Sequence, residues 1–149
     1  MISNTSSTGT KYYHLEVETE KFTSKDVFCR PRMALIGKYK SGKSSVALEA
    51  SQLSGSVLIR IPEIIELFLK NRFSGLGRKL NTILRGGKQV PDDLLAELLA
   101  LRLKMEDCSQ NGWLLDGFPQ TQEQAIQMYK KGVYPDIIFS DPIPEIFVR

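Results

Sequence analysis

The sequence is poor in the residues that build metal centres and covalent scaffolds. It carries one histidine, His14, and two cysteines, Cys29 and Cys108. The cysteines lie far apart, in no metal-like spacing. That leaves them as reduced, partly buried thiols of an intracellular chain rather than zinc ligands or a disulfide framework. His14 sits in an alternating stretch and reads as a surface residue rather than a ligand. Long apolar runs are missing too. None approaches the roughly 20 residues that span a bilayer, and the Ser/Thr-rich residues 1–11 lack the hydrophobic core of a signal peptide. No membrane partner is expected, and the placement is cytoplasmic. An excess of one charge is also lacking. Twenty Lys and Arg against 17 Asp and Glu give a net +3, and the signs are interspersed, so the surface is mixed and solvated and no nucleic-acid partner is expected.

What is present fits one ordinary domain. Its 149 residues are 42% hydrophobic and 25% charged, enough to enclose a core. Residues 1–11 read as a disordered lead-in and residues 12–32 as an N-terminal strand or arm. In that arm Tyr13, Leu15 and Val17 alternate with His14, Glu16 and Glu18. Residues 33–37 form an apolar run closed by glycine, as a parallel strand buried on both faces would. A helix follows from Lys43 to about Leu53, then a strand over 57–61. Pro62 suits the first position of a helix with Ile64, Ile65, Phe68 and Leu69 inward.

A short basic helix over 78–84 stops at Gly86-Gly87. Pro91, Asp92 and Asp93 open the longest helix, with Leu94, Leu95, Leu98, Leu99 and Leu101 as its apolar set and its end near Asn111-Gly112. A third strand over 113–117, a helix over 121–131 and a fourth strand over 136–140 complete the pattern. Strands alternating with helices predict an α/β three-layer fold with a parallel sheet.

One stretch carries chemistry. Gly37, Lys38, Tyr39, Lys40, Ser41, Gly42, Lys43 and Ser44 satisfy G-x-x-x-x-G-K-[ST], with an apolar strand entering and a helix leaving, and together with Ser45 they are the expected ATP-phosphate-binding residues. Glycines let such a loop wrap closely, so that backbone N–H groups and the helix N-terminus face a phosphate. Lys43 would reach the terminal phosphates and act as the catalytic cation, and Ser44 would hold Mg²⁺. Downstream, Leu114-Leu115 end on Asp116, with no obvious basic partner beside it in the sequence. A carboxylate at the C-terminal end of a parallel strand, beside the loop, orients the water ligands of that metal.

From Met33 to about Val148 the chain resembles the adenylate kinases, in three linked motifs. They are the phosphate loop GKYKSGKS, the segment LGRKLNTILRGGKQVPDDLL, and EDCSQNGWLLDGFPQTQEQA. The resemblance implies a P-loop fold whose monophosphate-side lid covers about 62–90. It implies phosphoryl transfer from Mg·ATP to AMP, with Gln124 reading adenine and Val90, Gly117 and Arg85 beside the AMP. Arg149 falls where the family begins its ATP lid, so the expected fold is truncated before that lid.

The departures weigh against full activity. The family has arginine directly after D-G-F-P, and here stands Gln120. Where it has Thr, Asp and Arg after the second strand, this chain has Ile61, Glu63 and Glu66. Losing two phosphate contacts, the hydroxyl at Ile61 and the arginine at Gln120, and inverting the charge at Glu66 removes roughly 4–7 kcal/mol, or about a thousandfold to a hundred-thousandfold in rate. Nearby cations are Arg60, Arg78, Lys79, Arg85 and Lys88. The expected function is an adenylate-kinase-like ATP-binding domain with weakened or lost transfer. The alternative is a non-catalytic nucleotide-binding module serving assembly with other domains or subunits, as in the family's long multi-domain forms. The ciliary axoneme or nucleus is then the alternative location.

Overall fold

The computed structural model describes residues 2–5, 11–14, 30–37, 43–71 and 73–140, with 2–5, 11–14, 43 and 44 followed through their backbone alone. In chain order the elements are β1 (Ile2–Thr5), β2 (Lys11–His14), β3 (Arg32–Ile36), α1 (Lys43–Ser54), β4 (Val57–Ile59) and α2 (Ile61–Lys70). They continue with α3 (Gly75–Arg85), α4 (Asp92–Leu103), α5 (Glu106–Asn111), β5 (Trp113–Asp116), α6 (Gln122–Lys130) and β6 (Ile137–Ser140). The strands form one sheet in the order β1-β2-β6-β3-β5-β4, parallel from β2 to β4, with β1 antiparallel at the edge.

The apolar runs are continuous because helices cover both faces of the sheet. On one face Met33, Leu35, Leu114, Ile137 and Phe139 pack on Ala47 of α1, with Ala50 and Leu58 beside them. On the other, Ala34, Ile36, Trp113, Leu115 and Ile138 meet Ile64, Leu80, Leu94, Leu98, Leu99 and Met128 from α2, α3, α4 and α6. Successive strand residues therefore alternate between two cores. This is the three-layer α/β arrangement that the sequence predicts.

Three expectations change. Ile2–Thr5 form β1 and Lys11 opens β2, so the lead-in over 1–11 is not wholly disordered; an antiparallel return supplies backbone partners to an otherwise open sheet edge. Residues 15–18 and Cys29 lie outside the described residues. The strand over 57–61 stops at Ile59, because Arg60 is the cap of α2 and Ile61 and Pro62 are already helical. The long helix is two. α4 ends at Leu103 and Met105 is extended (φ −64°, ψ 155°), so that α5 starts afresh with Glu106 and Asp107 in its first turn. Within α4, Ala96 and Ala100 are buried whereas Leu101 is exposed, since small residues let α2 and α6 approach it closely.

The joint between α4 and α5 is held by Arg102, which donates to both oxygens of Asp107 at 2.8 and 2.7 Å. That bond holds the Asp107 carboxyl down at about 2, from an ordinary 3.8. A depressed carboxylate stabilises the fold above its unfolded value and ceases to do so as pH falls through the folded one. The urea midpoint is therefore expected to fall between about pH 4 and pH 2, and Arg102→Gln to flatten that part of the profile. An unchanged profile in the variant would remove this account of the joint. Next to it, burial pushes the Cys108 thiol up to about 11, in keeping with an unreactive core cysteine.

Candidate functional site

In an open parallel sheet, ligands bind outside the C-terminal ends of the strands. Gly37 follows β3, Asp116 closes β5 and Arg60 follows β4, so all three reach that edge. Leu35 lies opposite Asp116 in the β3–β5 register, and the Gly117 amide donates to the Leu35 carbonyl at 3.0 Å. The end of β3, which leads into Gly37, and the carboxylate are thereby brought side by side. α1 opens at Lys43 with Ser44 and the exposed Ser45 in its first turn, and that turn contains no acid to oppose an anion. Lys38, Tyr39, Lys40, Ser41 and Gly42 lie outside the described residues, as do the side chains of Lys43 and Ser44.

Asp116 has a basic partner after all. Ile59 pairs with Leu115 in the β4–β5 register, so the next residues, Arg60 and Asp116, face each other. Arg60 Nε donates to Asp116 Oδ2 at 3.1 Å, from a guanidinium side chain 34% exposed to a carboxylate side chain 8% exposed. Glu63, on the first turn of α2, comes to 3.6 Å of Arg60 Nη1. The pair spans the two strand ends. Sequence reading missed it because Arg60 and Asp116 become neighbours only once β4 is known to lie beside β5.

Beyond β5, Thr121 caps α6 by accepting from the Gln124 backbone N–H at 3.1 Å. The Gln124 side chain is engaged at both ends. Its Oε1 accepts from the Gln120 backbone N–H at 2.8 Å, and its Nε2 donates to Asp92 Oδ1 at 3.2 Å. It thus ties the turn after β5 to the first turn of α4, two residues beyond the half-buried Val90. A side-chain amide has two donors and two acceptor lone pairs, so a base would have to share it with Asp92 and Gln120. Gly117 takes a positive φ of 77°, and the Gln120 side chain lies over it, its Nε2 3.9 Å from where a Cβ would stand.

The acid of greatest concern turns away. Glu66 is exposed and bonds Lys70 at 2.9 Å, which holds its carboxyl below the ordinary range. Its charge is met on the helix surface rather than left to oppose a phosphate. Arg78, Lys79, Arg85 and Lys88 are exposed and form no ion pair among the described residues. Arg85 ends α3 without being drawn to the Asp116 edge by any bond among those residues.

Over 117 residues the chain is 35% identical to adenylate kinase 8 of Xenopus tropicalis, and over 114 residues 34% identical to the human protein of that name. Over 114 residues it is 36% identical to the adenylate kinase of the bacterium Baumannia cicadellinicola. The chain is a relative of the adenylate kinases. The matches cover 75–78% of this chain. They span 23% of the length of the two adenylate kinase 8 proteins and 53% of the bacterial one. No family model matches the chain. As an adenylate kinase relative, it has a nucleotide kinase-like domain built on a parallel sheet. No helix among the described residues is long and apolar enough to cross a membrane.

Proposed function

We propose that this domain binds ATP at the Gly37–Ser45 loop and an adenine monophosphate between α2, α3 and the turn after Asp116, with phosphoryl transfer weakened or lost. One observation carries the reading. Gly37 follows β3 and Asp116 closes the adjacent parallel strand β5, at the edge where such sheets hold phosphates, and α1 begins soon after at Lys43. Lys43 serves the terminal phosphates, and Gly117, Val90 and Gln124 line the second pocket, with Arg85 at its rim.

Mg²⁺ fits the donor set. A serine hydroxyl and a carboxylate are the hard oxygen ligands it takes, so Ser44 would hold it directly and Asp116 through water. Asp116 can serve it with the oxygen that is not bonded to Arg60. When bound, the ion neutralises phosphate charge. Gln120 in place of arginine supports a second reading, in which the bound nucleotide stabilises a module held within a larger assembly rather than being turned over.

Titration of the full chain with a fluorescent ATP analogue tests the assignment. Binding is expected in the high micromolar range, about −5 kcal/mol. Lys43→Ala should weaken it at least about tenfold, since a charge-assisted bond to phosphate is worth roughly 1.5–3 kcal/mol. Affinity that does not change in Lys43→Ala would sink the loop's role.

A further inference from the structure

We infer that Arg60 is the residue that grips the phosphate of the second nucleotide. The inference rests on the nucleotide-binding reading above and assigns one subsite within it. A guanidinium offers a planar fork of N–H donors, and only Nε is spent on Asp116. Glu63, at 3.6 Å from Nη1, is beyond hydrogen-bond reach. Among the described residues both terminal nitrogens are left with donors to offer. Asp116 anchors the stem-side nitrogen from a nearly buried position on a strand, and the side chain is 34% exposed. Anchoring one edge of the fork leaves the other edge aimed and open. That is the arrangement which receives two phosphate oxygens at small ordering cost.

Position identifies which phosphate. Arg60 follows β4, and β5 lies between β4 and β3. Adjacent strands are about 4.8 Å apart, so Arg60 stands roughly 10 Å from the strand that feeds the Gly37 loop. A phosphate held by Arg60 is therefore separate from those cradled by the loop. The two groups would meet above Asp116, on the strand between. The usual arginine positions have lost their cations at Gln120 and Glu66, and Arg60 brings one back from the neighbouring strand end.

Glu63 lowers the positive potential at Arg60 without bonding to it, which gives a test by gain as well as loss. Calorimetric titration of the full chain with AMP and with adenosine reads the phosphate's share of binding. AMP is expected to bind about tenfold more tightly than adenosine. Arg60→Gln should bring the two within about twofold while leaving adenosine affinity unchanged. Glu63→Gln should widen the preference for AMP by about twofold. Equal binding of AMP and adenosine by the unmodified chain would overturn the proposal, as would a preference that survives Arg60→Gln. If Arg60→Gln fails to fold, Glu63→Gln decides alone, and an unwidened preference there rejects the role. A fluorescent ATP analogue separates this failure from the larger one. Lys43-dependent binding of the analogue with no AMP preference removes Arg60 alone; no binding of any nucleotide removes the site itself.

Discussion

Supplied with Mg·ATP and AMP, the chain is expected to turn over at least about a thousandfold more slowly than the roughly 1–100 per second of ordinary kinases. Phosphoryl transfer asks little covalent chemistry of a protein. Its catalysis is positioning together with neutralisation of charge on the moving group. At two positions where the resemblance implies arginine, this chain has a neutral amide and a carboxylate. Gln120 lies over Gly117, and Glu66 is bonded to Lys70 on the surface of α2. Each charged contact is worth roughly 1.5–3 kcal/mol, and the losses compound. Arg60 does not make them good. A cation that holds the phosphate equally before and during transfer tightens binding without lowering the barrier. In a coupled assay, Gln120→Arg should raise the rate about tenfold or more, still short of ordinary turnover. Rates of about 1–100 per second from the unmodified chain would return it to the active kinases.

The largest effect on folding is expected from Gly112→Ala, at the junction of α5 and β5. Gly112 has φ 76° and ψ −175°, a region essentially confined to glycine, which an L side chain adopts at a cost of roughly 1–3 kcal/mol. Space is lacking as well. A Cβ there would lie 2.6 Å from the Arg30 carbonyl carbon and the Pro31 nitrogen, and closer still to the Pro31 oxygen. That backbone cannot yield easily. The Pro31 oxygen accepts from Trp113 at 2.8 Å, and the Gly112 oxygen accepts from Val57 at 3.1 Å, so three strands meet at this point. Overpacking adds roughly 1–3 kcal/mol, giving a loss of about 2–6 kcal/mol from the roughly 5–15 of a typical domain. Gly132→Ala is the comparison. It has φ 80° but nothing within 4 Å of the added atom, so the conformational cost acts alone. Thermal unfolding should place Gly112→Ala well below Gly132→Ala. Equal midpoints would mean that the crowding at Pro31 is relieved.

These two glycines mark how far sequence reading reaches. The four apolar runs at 33–37, 57–61, 113–117 and 136–140 were legible as strands, to within a residue or two of their bounds, because strands covered on both faces are apolar without alternation. The G-x-x-x-x-G-K-[ST] pattern stood out because its glycines and lysine fall at fixed spacing, and β3 and α1 do flank it. The break between α4 and α5 was not. Leu101 to Cys108 contain no proline or glycine, and the interruption comes from Arg102 clamping Asp107. The Arg60–Asp116 pair was hidden for a different reason. It depends on strand order, which no local pattern of residues encodes. Glu66 shows the same limit, since its charge was legible but its partner Lys70 was not weighed against it.

The order of the strands also sets when the sheet can be finished. β3 is flanked by β6 and β5, both made after it, while β2 reaches its parallel neighbour only when Lys11 meets Ile137. On a ribosome, β3 would emerge long before either flanking strand and wait with both edges open. Pairings between distant parts of a chain form slowly, and unpaired edges are prone to stray association in the meantime. The joining of β2 to β3 thus waits for β6, which is made after all the other described strands.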